Sequence, residues 1–388
     1  MNSEPLRAPE EPVAGGLALV LSGGGARAAY QVGFLRHVAR HFPDLKIDIL
    51  TGVSAGAINA AFLACHETSF AQRIADLVDA WHSLSIDKVF DVDAGAMTTS
   101  ALRWGLRLFS GGGQPTFAPR GLVDTAPLAR LLESLMGGVD GNLLGISRNL
   151  EAGRLRSVAI TGASYSTGQS VTWVQGAQML PWDRPNRRSV RCNLRVQHVM
   201  ASSALPLFFP AVQVDGRWYG DGGIRMAAPL SPAIHLGADR IVAISTRYQR
   251  TRQEEDDPYV SGYPPPAQVL GVLLNAIFLD VIDQDAVRVE RTNELVSRLP
   301  EKERAGMRQV RLLTLRPSRD LGRLASEYEP QLPKSFRFFT RGLGTRETRS
   351  NDVLSLLMFQ PDYLARLIEL GAADAEERSE QIATFLRT

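Results

Sequence analysis

The segment LALVLSGGGARAAYQVGFLRHVARHF, from Leu17 to Phe42, restricts the fold of this chain more than any other. Five apolar β-formers, Leu17–Leu21, stop at Ser22 and three consecutive glycines, Gly23, Gly24 and Gly25. Ala28, Val32, Leu35 and Val38 then recur at helical spacing, which predicts a helix from about Arg27 to His41. A glycine loop between a strand and a helix N-terminus gathers backbone N–H groups around negative charge. The charge can belong to a bound cofactor or arise only during a reaction.

The next βα unit narrows the choice. In DILTGVSAGAINAAFLA an apolar strand, Ile47–Val53, runs into Gly52-Val53-Ser54-Ala55-Gly56 and directly into a helix. This is a G-x-S-x-G elbow in the strand–turn–helix setting that such a motif requires. Gly52 and Gly56 remove side chains that would clash in a sharp turn, and Ser54 projects at a helix N-terminus, a position suited to a nucleophile. An ordinary structural turn is the alternative.

Gly23-x-Gly25-x-x-Ala28 also satisfies a dinucleotide fingerprint, but that reading needs an acid at the end of the second strand. That strand ends in Thr51-Gly52-Val53-Ser54, and Asp44 and Asp48 lie before it or at its beginning. A phosphate-binding P-loop fails for want of a following Gly-Lys-Ser/Thr. An oxyanion hole fits better, with the N–H groups of Gly24, Gly25 and Ala26 facing Ser54 from the adjacent strand end.

A serine nucleophile needs a base. Of the six histidines, which also include His198 and His235, His37, His41, His66 and His82 sit on helical stretches and read as surface or satisfied groups. His235 completes the order Ser54, Asp221, His235 of an α/β-hydrolase triad, although LSPAIHLGADR reads as a helix that leads to a strand. Asp221 in WYGDGG is the stronger base. It follows a strand, and Gly220, Gly222 and Gly223 permit a close-approaching loop.

Three segments, SGGGARAAYQVG, GVSAGAINA and DGG, resemble in this order the patatin-like phospholipases of bacteria. ASSALPLFFPAV (Ala201–Val212), GLVDTAPLARLL (Gly121–Leu132) and the C-terminal LLMFQPDYLARLIELGAADA are similar to further family segments. The resemblance implies a Ser–Asp dyad without histidine: Ser54 as nucleophile, Asp221 as base, Gly23, Gly24, Gly25 and Ala26 as oxyanion hole. Arg27 carries the motif's positive charge and either orders the loop through a salt link, meets phosphate or is a solvated surface group. One departure stands out: the family usually carries glycine where this chain has Ala28, which matters only if the position needs φ > 0.

Further strands are expected at Ser157–Tyr165, Ser170–Gly176, Ala211–Gly223 with a turn at Val214–Gly216, Arg240–Thr246 and Gln309–Pro317. Strands separated by helical crossovers argue for a three-layer α/β/α fold with a mainly parallel sheet. Residues 1–15 read as a disordered, Pro-rich lead-in without the apolar core of a signal peptide. Residues 16–246 read as the catalytic domain. Residues 247–388 read as a charged, Pro-rich loop and a mostly helical region packed on that domain, in which Asp352 and Asp362 start helices and Gly371 ends one.

Composition adds exclusions. The formal net charge of +2 over 388 residues implies no nucleic-acid partner. Cys65 and Cys192 form no disulfide framework and no metal-ligand spacing, and neither a metal nor an organic cofactor is implied. Arginine outnumbers lysine, 39 to 4, and RPNRRSVRCNLR (Arg184–Arg195) is either a solvated strand or a site for anionic head groups. VLGVLLNAIFLDVI (Val269–Ile282), 14 residues long, is too short to span a bilayer and reads as a buried helix rather than a lid. The expectation is a cytoplasmic lipid acyl hydrolase in peripheral contact with membrane. A Ser-His-Asp esterase acting on small soluble esters and a catalytically silent lipid-binding protein are the alternatives.

Overall fold

The structure, a computed structural model, describes residues 15–91, 121–176, 182–256, 262–278, 281–342, 344–345 and 350–387. The N-terminal lead-in lies outside the described residues up to residue 14. Among those described, nine strands form one sheet: β1 Leu17–Leu21, β2 Ile49–Val53, β3 Ser157–Ser164, β4 Ser170–Gly176, β5 Arg187–Arg191, β6 Val212–Val214, β7 Arg217–Asp221, β8 Arg240–Ile244 and β9 Arg311–Leu315. The order is β5-β4-β3-β2-β1-β8-β9, with β7 on β3 and β6 on β7. From β3 through β2, β1 and β8 to β9 all pairs are parallel. β4 runs antiparallel to β3.

The central strand shows why this sheet is the middle layer. Every residue of β1 is buried. Leu17, Leu19 and Leu21 enter one core and Ala18 and Val20 the other, as the two-residue period of a strand demands. On the first face pack three helices, α1 Ala29–His41, α2 Ala55–Cys65 and α3 Phe70–His82. The opposite face is covered by Leu230, Ala233, Leu236 and Val289.

The helix Pro361–Glu377 lies along α1. Gly371, read from sequence as a helix stop, sits inside this helix. A Cβ there would come 2.1 Å from Tyr30 O, and one on Gly33 of α1 would come 1.9 Å from Ile368 O. Both glycines mark a close helix crossing, a use that a single sequence does not separate from a C-terminal stop.

The apolar run at Val269 is also not what its sequence suggests. Its part Val269–Phe278 falls in the helix Pro266–Phe278, residues 279–280 lie outside the described residues, and Ile282 is buried in the next helix. The helix Pro266–Phe278 buries Ala267 and Leu274 but leaves Val269, Val272 and Leu273 between 48% and 55% exposed. One side packs against the helix Asp352–Leu357 and the turn Gly222–Arg225, and nothing described covers the other. Taken jointly with the helix Val281–Arg298, the span Pro266–Arg298 reaches the length and apolarity of a membrane-crossing helix. Val281–Arg298 is tied to the domain instead, since Asp283 accepts from Arg316 Nε at 2.9 Å and Asp285 from Leu230 N–H at 2.9 Å.

Candidate active site

β3 is eight residues long, and two strands share one of its edges. β2 pairs with its first part, ending at Val53 opposite Thr161. At the next residue, Gly162, β7 takes over from the other direction, beginning with Asp221. The strands meet head to head, which brings Ser54 and Asp221 together at the junction.

Ser54 has φ 56° and ψ −133°, a conformation that L-residues rarely hold. Such strain costs on the order of 1–3 kcal/mol and persists only where surroundings enforce it. Two serines do so. The Ser54 N–H donates to Ser202 Oγ at 3.0 Å, and Ser202 Oγ donates to Thr161 O at 2.7 Å. Ser203 Oγ donates to Ser54 O at 3.0 Å. Both belong to the ASSALP segment, and no spacing rule would have singled them out. Gly52 and Gly56 flank the elbow, and a Cβ on Gly56 would lie 2.3 Å from Leu21 O, inside the contact with β1.

The glycine loop lies against this elbow, with Gly23 so close that a Cβ on it would come 2.9 Å from Ser54 Cβ. Gly25–Ala28 form a 3-10 turn that leads into α1. The N–H groups of Gly24, Gly25 and Ala26 stand at its start, where helical geometry supplies no partner to the first donors. Gly25 has φ 53°, and a Cβ there would come 2.1 Å from Leu356 O. Ala28 has φ −66° and ψ −12°, so its side chain fits without strain.

Arg27 is buried and turned away from the cavity. Its Nη2 reaches Asp352 Oδ1 at 2.5 Å and its Nε donates to Ser355 Oγ at 2.6 Å. Asn275 Nδ2 donates to the other Asp352 oxygen at 2.5 Å. The C-terminal segment, which carries no chemical motif, therefore clamps the glycine loop.

Asp221 is fully buried. Its Oδ1 accepts the Gly223 N–H at 2.9 Å, within the turn that Gly222 opens. Oδ2 has no hydrogen bond of ordinary geometry, although the Ser54 hydroxyl is close enough to act on the carboxylate. Burial raises the Asp221 pKa to about 7, and the Ser54 hydroxyl and the Gly223 N–H hold it from going higher.

A cavity opens from Ser54 between α2, α3 and the helix Ala126–Leu135. Ser54 and Ser203 are its only side-chain hydroxyls among the described residues, and the rest of the wall is almost wholly hydrocarbon, including Ile58, Phe62, Trp81 and Leu132. No histidine among the described residues lines it. His235 stacks on Trp182, with ring centroids 5.0 Å apart and planes 4° from parallel. Burial, and then Arg184, Arg308 and Arg187, lower its pKa. Of the Arg184–Arg195 cluster none reaches the cavity: Arg187–Arg191 form the edge strand β5, and Arg195 pairs with Asp215 at 2.6 Å. His37, His41 and Glu376 come together elsewhere, between α1 and the end of the helix Pro361–Glu377, but His37 already holds Glu376 at 3.0 Å and Ser379 at 3.3 Å.

A family model described as patatin-like phospholipase matches residues 19–234, more than half of the chain. The chain belongs to the patatin-like phospholipase family. No curated protein sequence matches it. Similar solved structures include human GIVD cytosolic phospholipase A2, at 12% identity and a TM-score of 0.48, which covers 96% of this chain and 60% of that one. VipD from Legionella pneumophila is 14% identical at a TM-score of 0.40, covering 93% of this chain and 66% of that one. ExoU from the type III secretion system of Pseudomonas aeruginosa, in complex with SpcU, is 18% identical at a TM-score of 0.27, covering 63% and 46%. The chain thus spans less than two thirds of the length of each of these. The patatin-like phospholipase match takes in the glycine loop, the elbow and Asp221 together.

Proposed function

We propose that this protein is a serine acyl hydrolase that cleaves fatty-acyl esters of lipids. One observation carries the reading: Ser54, beside a buried carboxylate with a free oxygen, is the polar end of a hydrocarbon-walled cavity. Asp221 Oδ2 takes the hydroxyl proton as Ser54 Oγ attacks the ester carbonyl. The N–H groups of Gly24, Gly25 and Ala26 hold the oxyanion. As the C–O bond breaks, Asp221 returns the proton to the leaving alkoxide, and an acyl-enzyme remains. Asp221 then takes a proton from water as its oxygen attacks the acyl carbon, and gives it to Ser54 Oγ as the Oγ–C bond breaks and the fatty acid leaves.

A carboxylate at its ordinary pKa is a weak base toward serine, and burial raises its basicity. The base must be ionised to act, so kcat/KM should fall as pH drops through about 7. The test is fatty-acid release from phospholipids and long-chain p-nitrophenyl esters by purified protein over pH 5–9. Absence of turnover would exclude the hydrolase, and full activity at pH 5 would exclude a buried carboxylate base.

For contact with a lipid surface, the exposed face of Pro266–Phe278 is better placed than the arginine segment, because it borders the turn that comes after Asp221. Val272→Asp with Leu273→Asp should reduce co-sedimentation with phosphatidylcholine vesicles, and added salt should change wild-type binding little. Binding lost in salt but kept by this double variant would return the role to the arginines.

A further inference from the structure

The cavity that starts at Ser54 runs along α2, passing Ala55, then Ile58 one turn on, then Phe62. Its far end is walled by Leu135 and Met136, the last residue of the helix Ala126–Leu135 and the residue after it. The same two side chains line a second depression on the far side of that wall, at the C-terminal end of α2. This depression is open to solvent. Its lining includes Val139 and Leu144, 56% and 42% exposed, and Glu67 paired with Arg148 at 3.0 Å. Two exposed apolar side chains thus stand beside a buried hydrocarbon cavity with which their depression shares one wall.

We propose that the two cavities are one acyl channel, with Met136 as the gate between them. The inference rests on the acyl-hydrolase reading and specifies its substrate. The ester carbonyl sits at Ser54 and the chain runs along α2. The methyl end of a long chain passes Met136 to cover Val139 and Leu144. Methionine suits the gate: its unbranched side chain can move aside without disturbing the backbone and still presents an apolar surface. Between Ser54 and Phe62 the helix rises about 12 Å, and about 16 Å to Cys65. Roughly 10–13 carbons of an extended hydrocarbon chain, which advances less per carbon than the helix does per residue, cover that length. Acyl chains of about 16–18 carbons would therefore need the second cavity, and medium chains would not.

The channel is tested with p-nitrophenyl esters of eight to eighteen carbons on wild type, Met136→Trp and Val139→Asp. The second variant changes an exposed residue and is expected to fold even if the first does not. In both, the ratio of kcat/KM for the sixteen-carbon ester to that for the eight-carbon ester should fall at least roughly tenfold, since each methylene returned to water forfeits about 0.8 kcal/mol. A ratio unchanged in the folded variants would overturn the channel. A second readout needs no turnover: displacement of a fluorescent fatty acid by fatty acids of increasing length. There, the gain in affinity beyond about twelve carbons should disappear in Val139→Asp. If no ester is cleaved but this loss is seen, the hydrolase reading fails and the channel stands. If esters are cleaved but neither profile moves, only the channel fails.

Discussion

Ser54→Ala should lower lipid-ester turnover by several orders of magnitude, up to roughly 10⁶-fold, the scale reached when a serine nucleophile is removed. The loss should fall in kcat. The hydrocarbon cavity and the glycine-loop donors remain in the variant, so binding of a long acyl chain persists while no acyl-enzyme forms. Labelling by a fluorophosphonate should vanish with the hydroxyl. The fold should survive, because Ser54 is held through its backbone, by the Ser202 and Ser203 hydroxyls, and not through its own side chain. Ser54→Gly separates strain from chemistry further. It should be equally inactive yet more stable than Ser54→Ala, since glycine accepts φ 56° without penalty. Labelling that persisted at another serine would end the assignment.

Asp221→Asn should remove nearly all activity, whereas His235→Ala should change kcat/KM by less than about tenfold. The contrast comes from position: Asp221 meets Ser54 at the junction of β2 and β7, and His235 stacks on Trp182 outside the cavity. In a triad the carboxylate acts only through imidazole, and both changes would be severe. A thousandfold loss in a folded His235→Ala protein would restore the histidine hydrolase. The asparagine variant also carries a stability prediction. The fold raises the Asp221 pKa, so between about pH 4 and 7 the folded state keeps a proton that the unfolded state releases. Wild-type stability therefore declines from this group as pH rises through that window and stays at the lower level above it. Asparagine has no charge to bury, and the advantage of Asp221→Asn should grow from pH 5 to pH 8, by on the order of a few kcal/mol at most. Unfolding by urea at both pH values measures it, and a variant less stable than wild type at pH 8 would contradict a buried, strained carboxylate.

Much of the site could be read locally because its chemistry is local. A strand that stops at glycines and turns into a helix is written in the spacing around Gly23–Gly25 and around Ser54, and the conformations those turns need are ones that glycine supplies. The order of βα units was legible for the same reason, down to the hairpin at Val214–Arg217. Asp221 was a candidate by its place after a strand and between glycines, and by the resemblance of its segment to a family motif.

What the tertiary structure decided is who meets whom. Nothing near Asp221 states that β7 turns back along the edge of β3 to face β2; that depends on β3 being long enough to pair with both. Arg27 announces a charge in need of a partner, but its partner, Asp352, lies 325 residues away. The helix Pro266–Phe278 reads as core by hydrophobicity, and is half exposed because only one of its sides finds a neighbour among the described residues. Gly371 reads as a stop and serves as a crossing point because α1 lies against it. Periodicity and backbone preference are properties of a few adjacent residues, which sequence displays directly. Burial, pairing and the raised basicity of Asp221 depend on surfaces brought together from distant parts of the chain, and exist only once the sheet has chosen its register.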